Sequence, residues 1–80
     1  MRIELRQSAV KDLDSLDASV KQRAINAILE LQNYPNVSNI KQLVDFEPAF
    51  RKRIGDYRIL FDILGDAIIV GRVLHRKEAY

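Results

Sequence analysis

Arg51 and Arg53, in the last third of this 80-residue chain, have the chemistry to hold a phosphate, and Arg58, Arg72, His75, Arg76 and Lys77 extend the positive character towards the C-terminal end. A guanidinium stays protonated at any physiological pH and presents planar, paired donors that match two phosphate oxygens. His75 is the only histidine. Its unperturbed pKa of about 6.5 suits a proton acceptor, whereas a tyrosine near its ordinary pKa of about 10 needs cationic neighbours to act as one. There is no cysteine and no acidic cluster at ligand spacing, so neither a metal nor another cofactor is expected. The glycines match neither a P-loop nor a dinucleotide fingerprint.

Those residues need strands to hold them. Gly55-Asp56 and Gly65-Asp66 each separate β-rich runs. A two-residue loop with glycine first predicts a type II′ hairpin turn. Three strands of a meander follow, over Phe50–Ile54, Tyr57–Ile63 and Ala67–Leu74. On the first, taken as an edge strand, Phe50, Lys52 and Ile54 point one way and Arg51 and Arg53 the other. Two guanidiniums are costly in a core and natural at an anion site. Arg72 sits in an apolar run and is read as structurally paired.

Upstream, Arg2–Gln7 alternates as a half-buried strand. Ser8 predicts the cap of a short helix through Leu16, with Ala9, Val10, Leu13 and Leu16 as its apolar stripe. Asp17 predicts the cap of a second helix to about Asn33. Val20, Ala24, Ala27, Ile28 and Leu31 form its buried stripe, widened by Ile25 and Leu29. Pro35 ends it. Asn36–Pro48 reads as a loop anchored by Ile40, Leu43, Val44 and Phe46. Asp12, Asp14 and Asp17 read as solvated helix termini. The order β-α-α-β-β-β predicts one α+β domain over residues 1–80. In it a helical hairpin packs on one face of a twisted, mainly antiparallel four-stranded sheet, and the other face stays open.

Net charge is +2, but residues 49–80 carry seven basic and four acidic side chains, against six and seven in residues 1–48. The imbalance points to an anionic partner for the back half. The absence of cysteine suits a reducing cytosol, so a cytoplasmic location is expected. Met1–Gln7 lacks the apolar run of a signal peptide. No stretch approaches the roughly 20 apolar residues of a membrane helix, so no membrane partner is expected.

The pattern FRKRIGDYRILFDI…DAIIVGRVLHRKEAY, with GDYR, a hairpin, an apolar strand and HR-x-EAY in order, resembles the RelE/ParE superfamily of toxins from type II toxin–antitoxin systems. The tail and basic strand are similar to the RelE branch, whose members cut mRNA in the ribosomal A site. The resemblance implies a RelE-like fold, a cognate antitoxin, and action on mRNA in the 70S ribosome. Carried over by motif, its site residues fall on Arg51, Arg53, Arg58, Arg76 and Tyr80, with His75 matching a histidine of several relatives. Attack of a 2′-OH on the adjacent phosphate needs a proton acceptor, charge stabilisation on the phosphorane, and help for the leaving 5′-oxygen. The arginines suit the second task and Arg76 the third. His75 or Tyr80 suits the first, with His75 preferred; Tyr80 also suits stacking on a base. Members with lysines at the two strand positions have an alternative base that Arg51 and Arg53 cannot supply. Two other readings stand beside this one: a ParE-like inhibitor of DNA gyrase without a nuclease site, and an RNA- or antitoxin-binding module without activity.

Overall fold

The computed structural model describes residues 1–43 and 48–78. Val44, Phe46 and Tyr80, named above, lie outside the described residues. The elements are β1 (Arg2–Leu5), α1 (Gln7–Asp14), α2 (Ala18–Glu30), a 3-10 turn (Leu31–Asn33), β2 (Ile40–Gln42), β3 (Phe50–Ile54), β4 (Tyr57–Leu64) and β5 (Ala67–His75). The strands form one sheet in the order β1-β5-β4-β3-β2. All neighbours are antiparallel except β1 and β5, which run parallel with Arg2 opposite Ala67 and Leu5 opposite Val70. Both helices pack on one face, so the α+β architecture agrees with the expectation.

The hairpins form where the Gly-Asp pairs stand. Ile54 pairs with Tyr57 and Leu64 with Ala67, leaving two-residue loops. Gly55 has φ +59° and Gly65 φ +60°, while neither aspartate has a positive φ. That is the requirement of a II′ turn, and it explains glycine at the first position.

The core is built from period 3.6 on the helices and period 2 on the strands. Ala9 and Leu13 of α1, and Ala24, Ala27 and Ile28 of α2 with Leu31, meet Ile59, Phe61, Ile68, Val70 and Val73 of the sheet. Phe61, Leu31, Ile59, Ile68 and Val70 are fully buried, each contributing about 1.5–3 kcal/mol by transfer from water. Phe50 stacks on Phe61 at 5.5 Å and takes the edge of Tyr34 at 6.1 Å, which carries the core to the end of β3. Asp17 caps α2, its carboxylate accepting from Val20 N–H at 3.0 Å.

Several expectations need correction. The sheet has five strands, not four, because Ile40–Gln42 pairs with β3. β3 is therefore interior, not an edge. Ser8 does not cap α1: Arg6 holds the cap position without a side-chain bond, and Ser8 Oγ donates instead to Gly71 O at 2.6 Å. Only Arg6 separates β1 from α1, so the cap position falls before Ser8, which lies inside the first turn. Leu29 lies outside the buried stripe and is half exposed. Asp12 is not a solvated helix end. It accepts from Arg72 Nε at 2.7 Å, Arg72 Nη2 at 3.1 Å and Val73 N–H at 2.9 Å. Burial pushes the Asp12 carboxyl up, but those hydrogen bonds and the Arg72 charge outweigh it and hold the group below the usual carboxylate range.

Candidate functional site

Cross-strand register brings the central cations together. Arg53 stands directly opposite Arg58 on β4, and Arg51 directly opposite Lys41 on β2. Residues opposite each other share a sheet face. Arg51, Arg53 and Arg58 therefore lie on the face away from the helices, while Lys52 between them turns inward. Lys41, Arg51, Arg53 and Arg58, with Asn39 and Ile40, line one cleft of about 420 Å³. Like charges directly opposite each other are destabilising, a cost that a bound anion would reverse.

The three arginines are held differently. Arg58 is 8% exposed and donates from Nη1 to Gly55 O at 3.1 Å and Tyr57 O at 2.9 Å. Those carbonyls fix its guanidinium at the turn. Arg53 is exposed, and its backbone N–H donates to Asn39 O at 3.0 Å. Arg51 is half-buried between Lys41 and Leu60. A fixed guanidinium beside an exposed one suits an anion that enters from solvent and is gripped at one oxygen pair.

The tail is brought to the same end of the sheet. Arg76 N–H donates to Asp56 O at 2.7 Å, extending the β4–β5 pairing past His75. The Arg76 side chain stands 3.9 Å from the Asp56 carboxylate, with both groups largely exposed. Such a pair is weak and easily exchanged for a better anion.

His75 is not brought to the cleft. It pairs with Tyr57, and the two rings meet edge to face at 5.3 Å on the helix side of the sheet. It shares a pocket there with Asp12, Ser15 and Leu16 of the α1 region. Its Nδ1 accepts from Lys77 N–H at 3.2 Å. The cause is a β-bulge: the β4–β5 register shifts between Leu60 and Phe61, with Phe61 opposite Val70 but Leu60 opposite Arg72. Gly71 is the extra residue. A strict alternation from Ile68 and Val70 would send Arg72 inward and His75 out beside the arginines. The bulge reverses both. Val73 then fills the core, and Arg72 swings round the sheet edge to Asp12, the structural pairing read from its apolar surroundings. A glycine inside a strand is the sequence signal for such a bulge. Lys41 is the cation that sequence reasoning missed. Its strand is three residues long, follows Asn39 at φ +63°, and has no alternation to betray it.

Comparison with known proteins agrees with this architecture. The family model of the ParE toxin of type II toxin–antitoxin systems, parDE, matches residues 3–80. Toxin RelE3 of Methanocaldococcus jannaschii is 34% identical over 84 residues, covering 100% of this chain and 96% of that protein. Among solved structures, the RelB–RelE antitoxin–toxin complex from Methanococcus jannaschii is similar at a TM-score of 0.78 and 34% identity, covering 96% of this chain and 94% of that one. The toxin–antitoxin complex RelBE2 from Mycobacterium tuberculosis is similar at 0.79 and 26%, covering 94% and 96%. The isolated E. coli RelE toxin shares the fold at 0.75, with 14% identity. From the helix pair on one sheet face to the full-length sequence match, this chain belongs to the RelE/ParE superfamily of toxins of type II toxin–antitoxin systems.

Proposed function

We propose that this toxin is a ribosome-dependent endoribonuclease that cleaves mRNA in the A site of the 70S ribosome. The observation that carries the reading is the convergence of Arg51, Arg53 and Arg58 in one cleft on the helix-free face. The RNA 2′-hydroxyl gives its proton to a base as its oxygen attacks the adjacent phosphorus, the bond from phosphorus to the 5′-oxygen breaks, that oxygen takes a proton from water, and the products are a 2′,3′-cyclic phosphate and a 5′-hydroxyl. Arg58, fixed by two carbonyls, and the more exposed Arg53 and Arg51 stabilise the doubly charged phosphorane. Arg76, beside the same turn, offers positive charge to the leaving oxygen. The location of His75 behind the sheet argues against it as the base, which leaves Tyr80 of the two candidates named by the sequence. Arginine-rich sites with a weak base depend on exact placement of the substrate, and a ribosome holding the codon in line would supply it.

A cognate antitoxin is the proposed partner, since the similar chains from Methanococcus jannaschii and Mycobacterium tuberculosis stand in complexes with theirs. Its acidic segment would cover the cationic cleft. An apolar groove along β1 and α2, with Leu5 and Leu29 at its exposed rim, suits an amphipathic segment that folds on binding.

Primer extension on mRNA from an in vitro translation reaction tests the function. Cuts within codons that appear only with toxin and ribosomes, and vanish with Arg51→Gln/Arg53→Gln, are the expected result. Inhibition of DNA gyrase is the second reading, favoured by the ParE model that matches the chain. Gyrase-linked DNA breaks without mRNA fragments would replace the first reading with it.

A further inference from the structure

On the other side of β3 lies a second polar cavity, of about 550 Å³, between α2 and the β3–β4 turn. Lys52 forms its floor. The side chain is 4% exposed, and Nζ donates to Ser38 O at 3.0 Å and stands 3.3 Å from the Glu30 carboxylate. A buried ammonium fixed by a carbonyl and one carboxylate is a built feature, because leaving it unpaired would cost several kcal/mol. Arg23 of α2 reaches across the mouth, with Nη2 3.0 Å from where a Cβ on Gly55 would stand. Glycine at this turn therefore does two things: it supplies the positive φ and leaves room for the guanidinium. Arg23 and Arg53 form no ion pair among the described residues. Asn26 and Asn39 add amide groups to the wall. The lining carries three cations, Arg23, Lys52 and Arg53, against Glu30 alone. The cavity also shares Arg53 and Asn39 with the arginine cleft, so the two meet at the end of β3.

We infer that this cavity is a second phosphate subsite, which takes a phosphate flanking the scissile one as a single RNA strand passes round the end of β3. Arg23 is its principal ligand, Asn26 its neighbouring donor, and Arg53 the residue common to both subsites. The inference rests on the RNA reading of the arginine cleft. It adds a binding determinant on the helix layer, which that reading does not use.

The test is the salt dependence of binding to a short, fluorescein-labelled, single-stranded RNA with 2′-O-methyl groups, which cannot be cut, read by fluorescence anisotropy between about 50 and 200 mM salt. Each phosphate contact on a single strand contributes about 0.7 to the slope of log affinity against log salt. Arg23→Gln should lower the slope by about 0.7, so that the fourfold rise in salt weakens binding about 2.6-fold less than in wild type. Asn26→Asp, which places a negative charge in the same wall, should weaken binding at every salt concentration. Both positions are exposed on α2, so the thermal melt should hold. If Arg53→Gln flattens the slope and Arg23→Gln does not, the second subsite is overturned while the cleft stands. If neither changes it, the RNA reading of both falls. If Arg23→Gln spares RNA binding but weakens binding of an oligoglutamate probe, the cavity belongs to an acidic protein segment and the inference is overturned.

Discussion

Replacing Arg53 by glutamine should move activity and stability in opposite directions. Arg53 is exposed and stands directly across from Arg58. Opposite residues stand about 5 Å apart at Cβ, and two cations at about that spacing in water repel by about 0.8 kcal/mol. Glutamine keeps a polar side chain, shorter by two atoms, and removes that repulsion. The variant should therefore melt higher, by roughly 3–6 °C at about 4–8 °C per kcal/mol for a domain of this size. If the cleft holds the scissile phosphate as proposed, the same change removes one donor to the phosphorane. Loss of a preorganised donor typically costs about 10²–10³ in rate, and exposure of Arg53 places the expectation near 10². Arg53→Lys should keep part of the rate, because the charge survives while the paired donors do not. The assays are a thermal melt by circular dichroism and the rate of mRNA cleavage on programmed ribosomes. A variant that melts lower and cuts as fast as wild type would make Arg53 a structural residue and refute the argument.

Three further outcomes follow from the same geometry. Arg58→Ala should lose both activity and stability, by about 1–3 kcal/mol in urea unfolding, because it strips the partner from the Gly55 and Tyr57 carbonyls. His75→Gln should cleave within a few-fold of wild type; a hundredfold loss would restore His75 to the mechanism. The folded-state pKa values of Asp12 and Asp17 both lie below normal, so between the folded value and an unfolded value of about 3.9 the unfolded chain binds more protons. Their stabilisation is complete above that unfolded value and is lost as pH falls through the folded one, so melts should be flat from these groups at neutral pH and fall below about pH 4, less steeply in Asp12→Asn.

Local signals made most of the scaffold legible. The Gly-Asp turns, the capping aspartate at position 17 and the helical spacing of Ala24, Ala27, Ile28 and Leu31 each act within a few residues of sequence. Their consequences in the fold match the reading almost residue for residue. The alternation in β3 likewise separated Arg51 and Arg53 from Lys52. What the sequence hid depends on pairing between distant segments. β2 exists only because β3 offers it an edge, and it brings Lys41 opposite Arg51. The Gly71 bulge inverts the faces of Arg72 and His75, an effect that a count of alternating residues cannot carry across an insertion. The second cavity needs Arg23 and Glu30 of α2 beside Lys52 and Gly55, which only the packing of helix on sheet supplies.

The most direct measurement is a titration of the ¹⁵N-labelled toxin with uncleavable single-stranded RNA, following the arginine Nε–Hε resonances by NMR. A shared phosphate site would shift Arg51, Arg53 and Arg58 together, at one RNA concentration, while Arg72, clasped by Asp12, stays in place. Shifts confined to arginines outside the cleft, or an unmoved trio at saturating RNA, would contradict the claim that these guanidiniums hold the scissile linkage.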